Sequence, residues 1–187
     1  MRFLCDAMLG GLAKWLRAAG YDTYYASEGT DVSDRSLTQK ALEERRVLLT
    51  SDGGFLERRP VRDGSVGFMK VPYLPLEEQL RLVVDRFALS RRPSRCMECN
   101  GELATVPPGA VSGRVPPGVL QDREEFFLCG GCGRVFWQVH TGNVSPAVSN
   151  ASSGAESSPE VRYPTGAPAR DPSTEGALLH VIVSRIV

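Results

Sequence analysis

The sequence has no excess of charge of either sign: 22 Lys and Arg residues balance 22 Asp and Glu residues. Such a chain exerts no long-range pull on nucleic acid or an anionic membrane, so any basic binding surface has to be local. It also lacks a long apolar run, and nothing approaches the ~20 residues needed to span a bilayer. The opening from Met1 places an acid at Asp6, where a secretory signal needs an uninterrupted apolar stretch. The expectation is a cytoplasmic protein, a setting in which thiols stay reduced and paired cysteines favour metal over disulfides. No internal repeat is visible. What is present, 187 residues of which 42% are hydrophobic, suffices for one ordinary core or a modest core plus a small module.

Three zones differ in composition. Residues 1–90 alternate short apolar runs with helical patterns. Phe3-Leu4-Cys5 predicts a buried strand that ends at Asp6. Leu9, Leu12, Ala13 and Leu16 recur at helical spacing, with Gly20 where a C-cap belongs. Tyr21 to Ala26 is rich in β-formers, and Ser33 can cap a helix whose apolar face is Leu37, Ala41 and Leu42. Val47 to Thr50 reads as a strand stopping at Ser51-Asp52-Gly53-Gly54, and Val66 to Val71 as another. Leu76, Leu80, Val83, Val84 and Phe87 mark a second amphipathic helix. This alternation predicts an α/β domain with a parallel sheet and helices on its faces. Residues 91–142 open with the basic linker Arg91-Arg92-Pro93-Ser94-Arg95 and contain two cysteine pairs. Residues 143–187 form a tail dominated by Ser, Pro, Ala and Gly as far as about residue 176; it buries too little apolar surface to offset its ordering entropy, disorder is expected, and the closing apolar run from Leu178 to Val187 is too short to span a membrane.

The cysteine pairs are Cys96-Met97-Glu98-Cys99-Asn100-Gly101 and Cys129-Gly130-Gly131-Cys132-Gly133. A C-x-x-C turn puts two sulfurs on one side of a tight loop, and Asn or Gly after the second Cys supplies the positive φ the turn needs. Two such turns give four thiolates, the donor set of a closed, structural zinc site. A redox dithiol belongs at the start of a helix in a βαβ unit, and neither pair has that setting. Cys5 stands apart in an apolar strand and reads as a core residue.

Three aspartates fall at meaningful places. Asp6 follows the first strand, Asp52 follows the third, and Asp34 opens the second helix, with Asp31 close enough to replace it. In an open parallel sheet the carboxyl ends of strands and the helix starts that follow them share one edge, where ligands bind. Clustered carboxylates repel unless a cation such as Mg²⁺ or Mn²⁺ sits among them, the standard device for phosphodiester hydrolysis. Turn and cap chemistry accounts for each aspartate separately, so both readings stand. Lys14 and Arg17 adjoin on the polar side of the first helix, as phosphate contacts or a solvated face. Arg45-Arg46 and Arg58-Arg59 read as surface, and Trp15 and Trp137 as core residues rather than base-stacking ones.

With these residues laid out, the chain resembles the Mut-seven C-terminal RNase domain family. The resemblance rests on the run from Phe3 through Asp6, Gly10-Gly11 and Lys14 to Arg17, then Gly20-Tyr21-Asp22-Thr23. Val47-Leu48-Leu49-Thr50-Ser51-Asp52 is similar to a second signature. The runs Arg95 to Gly101 and Cys129 to Trp137 are similar to the family's zinc ribbon. The resemblance covers about residues 1–138 and implies a PIN-like three-layer nuclease domain, a small β zinc ribbon and a metal-dependent RNase activity. It implies that Asp6, Asp34 and Asp52 are catalytic and bind Mg or Mn, that Thr50 orients a metal ligand or contacts substrate, and that Arg17 and Lys14 lie near substrate. Three departures stand out. Gly53-Gly54 follow Asp52 where the family usually has a charged residue, and a fourth acid is not fixed, Glu57 and Asp63 being the candidates. Beyond Trp137 the motif pattern stops, which fits a natural extension or a change of reading frame.

The leading expectation is therefore a cytoplasmic, metal-dependent ribonuclease with RNA as partner, structural Zn at Cys96, Cys99, Cys129 and Cys132, and RNA docking by the ribbon and Arg91, Arg92 and Arg95. The alternative is a non-catalytic RNA- or ribosome-binding zinc-ribbon protein. A receiver-type phosphoacceptor is a third class, opposed by the two glycines after Asp52 and by the absence of paired acids after the first strand.

Overall fold

The computed structural model describes residues 1–90, 92–137 and 147–148. Arg91, residues 138–142 and, apart from residues 147–148, the low-complexity tail with its expected disorder lie outside them. The chain divides into two units, the first spanning residues 1–103 and the second starting at residue 104. This division falls past the basic linker, so the first cysteine turn belongs to the first unit.

The first unit is built on four parallel strands: β1 (Arg2–Cys5), β2 (Asp22–Tyr25), β3 (Val47–Thr50) and β4 (Phe68–Lys70), in the order β2-β1-β3-β4. Side chains alternate across a strand, and the sequence uses both faces. Phe3, Cys5 and Leu49 bury against α1 (Gly10–Ala18) and α4 (Leu76–Phe87), through Leu12, Leu16, Leu80 and Val83. Leu4 and Leu48 bury on the other face against Leu37 and Ala41 of α2 (Asp34–Glu43), with Phe55 and with Val61 of the short α3 (Arg59–Arg62). Each fully buried Leu or Phe contributes about 1.5–3 kcal/mol of transfer free energy, so the two faces together fix the sheet.

The local signals act as physical chemistry requires. Ser33 accepts the Ser36 amide and starts α2. Gly20 ends α1 with φ at 89°, and a Cβ there would stand 2.5 Å from the Arg92 Cβ. The connection from β1 to β2 runs through α1, and that from β2 to β3 through α2 on the opposite face. The strand order therefore reverses between β1 and β3, which makes their carboxyl ends a topological switch point.

The second unit carries β5 (Leu103–Val106), whose first residue closes the first unit, then α5 (Pro117–Asp122), β6 (Phe126–Cys129), β7 (Val135–Trp137) and β8 (Ala147–Val148), in sheet order β5-β6-β7-β8. β6 and β7 pair antiparallel, with Phe126 opposite Trp137. Val111, Val115, Phe126, Val135 and Trp137 form its core. β8 pairs antiparallel with β7, placing Ala147 opposite Trp137. No described helix is long and apolar enough to cross a membrane.

Candidate functional site

Asp6 and Asp52 stand at the carboxyl ends of β1 and β3, the two strands that flank the switch point. The Asp6 amide donates to the Leu49 carbonyl at 3.0 Å, which continues the β1–β3 pairing to the acidic residue itself. Asp6 is only 9% exposed, so its carboxylate must be hydrogen-bonded, and both oxygens are. Oδ1 accepts the Ala7 amide at 2.6 Å and Oδ2 accepts the Thr50 hydroxyl at 2.7 Å. The same Thr50 oxygen accepts the Asp52 amide at 3.0 Å. Thr50 is fully buried, so it does not touch substrate directly; it ties the two acidic segments together. Asp52 is exposed, and its Oδ1 accepts the Gly54 amide at 2.9 Å, a turn that aims the carboxylate outward at the sheet edge. The edge is closely packed beneath: a Cβ on Gly10 would meet the Tyr25 hydroxyl at 2.7 Å, and that hydroxyl donates to the Ala7 carbonyl at 2.9 Å.

Asp34 opens α2 as expected, but its Oδ2 accepts Arg58 Nη2 at 3.2 Å in a pair whose side chains are 33% and 47% exposed. Among the described residues, the four cysteines are the one group of three or more His, Cys, Asp or Glu side chains close enough together to hold an ion; Asp6, Asp34 and Asp52 do not form such a group. Two carboxylates at one edge still fit a hard divalent cation, because Mg²⁺ is held by one or two carboxylates with waters and phosphate oxygens filling the rest. A carboxylate has about four lone-pair sites, so the two hydrogen bonds to Asp6 leave it able to ligate. Asp31 accepts the Ser33 amide, Asp63 accepts the Ser65 hydroxyl and amide, and these bonds hold both carboxyls below their usual range. Glu57 is exposed, in the turn before α3.

The basic residues of α1 are placed differently from the expectation. Arg17 is 1% exposed and turns inward, so the reading of it as a substrate contact is corrected. Its Nε donates to the Thr23 carbonyl at 2.9 Å, and its Nη1 and Nη2 form a fork on Glu28 at 2.8 and 2.6 Å. Nη1 also donates to the carbonyls of Met97 and Glu98, both at 3.0 Å, within the first cysteine turn. The Arg95 amide donates to the Arg17 carbonyl at 2.8 Å. Lys14 is exposed but pairs with Glu98 at 3.0 Å. The first turn is held further by Asn100, whose Oδ1 accepts the Thr23 amide and whose Nδ2 donates to Asp22 at 2.7 Å. Helix periodicity identified the polar side of α1 but held no sign that a cysteine turn would cover it.

Asp22 is the hub of that contact. Burial pushes its carboxyl up, but hydrogen bonds from Arg46 and Asn100 and the charges of Arg46 and Arg95 outweigh burial and hold it below its usual range. Arg46, expected at the surface, is 9% exposed and bonds Asp22, Glu44 and the Phe3 carbonyl. Cys5 is a core thiol: burial pushes it upward, the Arg17 charge acting against this and the Asp6 charge with it. Arg92 lies over the Tyr21 ring at 4.7 Å, and Arg95 Nε donates to the Asn100 carbonyl at 2.9 Å. Trp15 is partly buried against the main core, and Trp137 is buried.

The Sγ atoms of Cys96, Cys99, Cys129 and Cys132 all lie within 4.8 Å of one another. A tetrahedron with Zn–S bonds of about 2.3 Å has sulfurs about 3.8 Å apart, so the cluster is compact enough to hold such an ion. Asn100 and Gly133 adopt φ of 62° and 71° after their second cysteines, the left-handed step expected of each turn.

Comparison with curated proteins and with solved structures finds no match. A family model, the Mut7-C RNAse domain, matches residues 1–147. The match runs beyond the point where the motif pattern stops, and it reaches the start of β8. It spans both acidic strand ends and both cysteine turns, and the chain belongs to the Mut7-C RNAse domain family.

Proposed function

We propose that the chain is a metal-dependent ribonuclease that hydrolyses RNA phosphodiester bonds at the carboxyl ends of β1 and β3. The observation that carries this reading is the single hydroxyl of Thr50, which binds Asp6 Oδ2 and the Asp52 amide at the switch point. Asp6 and Asp52 are the residues that would hold Mg²⁺ or Mn²⁺. When bound, such an ion activates water and offsets the charge of the scissile phosphate. The chain's own part is positional: Thr50 and the Ala7 amide fix the Asp6 carboxylate, and the Gly54 amide fixes that of Asp52. Asp34 serves as the third acid. Its pair with Arg58 is exposed, and exposed pairs are worth about 0–1 kcal/mol, so Asp34 is not committed to it. The four cysteines would hold one structural Zn²⁺, all thiolate and closed to water, with the ribbon assisting RNA docking. The domain of β1–β4 is read as PIN-like, and the protein as cytoplasmic.

One observation favours a second reading, a non-catalytic RNA- or ribosome-binding protein: the three carboxylates do not form one ion-sized group. Incubating labelled RNA with the purified chain and Mn²⁺, beside an Asp6→Asn, Asp52→Asn double variant, separates the two. Cleavage by the wild type alone supports the nuclease. Equal cleavage by both, or binding without cleavage by either, overturns it.

A further inference from the structure

Of the substrate contacts expected on α1, Arg17 is buried, and only Lys14 stays exposed, in a surface pair with Glu98. A nuclease edge needs several groups that grip the strand it cuts, and side chains at the carboxyl ends of the sheet are placed to add to it. Three stand out, none of them singled out by the sequence.

Lys70 is the last residue of β4 and pairs in register with Thr50. It is exposed and makes no ion pair with any described residue. A Cβ on Gly53 would lie 3.4 Å from Lys70 Nζ, so the ammonium rests over the bare backbone beside Asp52. The missing side chain at Gly53 leaves the room that this cation uses.

Tyr73 lies three residues further on and is 71% exposed. Its hydroxyl donates to Met8 Sδ at 3.1 Å, and Met8, 57% exposed, sits in the turn directly after Asp6. Because β3 lies between β1 and β4, the segment leaving β4 reaches across the mouth of the switch point to the segment leaving β1. That segment is held in place. The Val71 amide donates to the Thr50 carbonyl at 2.8 Å, Gln79 donates to the Pro72 carbonyl at 3.3 Å, and Val71 is fully buried. Single exposed apolar side chains need no explanation. Here an aromatic ring and a thioether are fixed in contact, on a sheet edge that also carries two carboxylates and a cation with no ion pair among the described residues.

We propose that Tyr73, Met8 and Lys70 form a subsite for one nucleotide of single-stranded RNA, adjoining the Asp6–Asp52 edge. The base stacks on the Tyr73 ring with Met8 as its side wall, and Lys70 Nζ binds a backbone phosphate. Stacking suits a single strand because an unpaired base offers its face, whereas a base inside a duplex does not. The proposal rests on the reading of Asp6 and Asp52 as the reacting edge.

The test is the affinity of the zinc-loaded full chain for a fluorescein-labelled, mixed-sequence single-stranded RNA, read by anisotropy without added Mg²⁺ or Mn²⁺. Tyr73→Ala should weaken binding about ten-fold and Tyr73→Phe should bind as the wild type does, because stacking needs the ring and not the hydroxyl. Lys70→Gln should weaken binding and make the slope of log affinity against log salt shallower by about one, with Lys70→Arg restoring it. A blunt-ended duplex should bind all these proteins more weakly and alike. Unchanged affinity and salt slope in Tyr73→Ala and Lys70→Gln overturn the subsite, whatever the cleavage assays give. Loss of cleavage in Asp6→Asn with RNA affinity retained keeps the two readings separate: a wild type that binds through Tyr73 but never cleaves sinks the nuclease and leaves the subsite standing.

Discussion

The Thr50 hydroxyl donates to Asp6 Oδ2 at 2.7 Å from a side chain with no exposure to solvent. The bond crosses from β3 to the end of β1 and sets the rotamer of the acid that the nuclease reading requires. Thr50→Val keeps the shape and removes the hydroxyl, leaving one oxygen of a nearly buried carboxylate and the Asp52 amide without this partner. Groups that orient a metal ligand from behind are worth about 10- to 100-fold in metal affinity or activity. RNA cleavage at limiting Mn²⁺ should fall by that factor in Thr50→Val and recover in Thr50→Ser. A Thr50→Val protein as active as the wild type places the reacting edge elsewhere.

Arg17 makes the first cysteine turn part of the first unit. Its buried guanidinium serves Glu28, Thr23, Met97 and Glu98 at once, and Arg17→Met leaves all four short of a donor. Breaking a buried, hydrogen-bonded ion pair costs about 3–5 kcal/mol, and the 40% exposure of Glu28 points to the lower end. Urea denaturation should show a loss of about 3 kcal/mol. Zinc should pass faster to a chromophoric chelator, because the carbonyls that Arg17 braces belong to the turn holding Cys96 and Cys99. Wild-type stability and zinc retention in Arg17→Met would return this residue to the solvated helix face.

Asp22 gives the stability a definite acid limb. Its carboxyl is lower in the folded chain than in the unfolded one, so the unfolded state takes up protons first as pH falls. The stabilisation is therefore complete above the ordinary Asp range near pH ~4 and is lost as pH drops through the lowered folded value. Arg46 stays charged throughout, since its own pKa is raised: burial lowers it, but the bonds and charges of Asp22 and Glu44 outweigh that. Asp22→Asn should be less stable at pH 7, with a shallower decline between pH ~5 and ~3, in thermal melts across that range. Parallel pH profiles for the two proteins would show that the pair carries no linkage.

Much of the frame was legible because it depends on local chemistry. The apolar runs at β1 and β3, the Ser33 cap and the left-handed residues after each C-x-x-C turn are decided within a few neighbours. The side-chain assignments that changed depend on partners far along the chain. Arg17 reads as solvated until Met97 and Glu98 arrive some 80 residues later to cover it. Arg46 reads as half of a surface pair until Asp22 and the Phe3 carbonyl enclose it. Lys70 and Tyr73 gave no signal because nothing local shows that β4 is the neighbour of β3 or that its exit crosses to Met8. The motif pattern stops at Trp137, yet β8 adds a strand whose two residues sit in a low-complexity stretch. Asp34 was found as a helix start, and its pairing with Arg58 follows from the approach of α3 to α2, which the sequence does not encode in any short window.

The most direct measurement is the single-turnover rate at which the purified, zinc-loaded chain cleaves a labelled single-stranded RNA in Mn²⁺, beside Asp6→Asn matched for zinc content and melting temperature. Asp6→Asn keeps the shape and removes the charge of the acid that Thr50 positions. The expected result is Mn²⁺-dependent cleavage by the wild type and a rate lower by about 100-fold or more, ~2.7 kcal/mol of transition-state stabilisation, in the variant. Equal rates in the two proteins, or no Mn²⁺-dependent cleavage by the wild type, would contradict the assignment of this edge as a nuclease site.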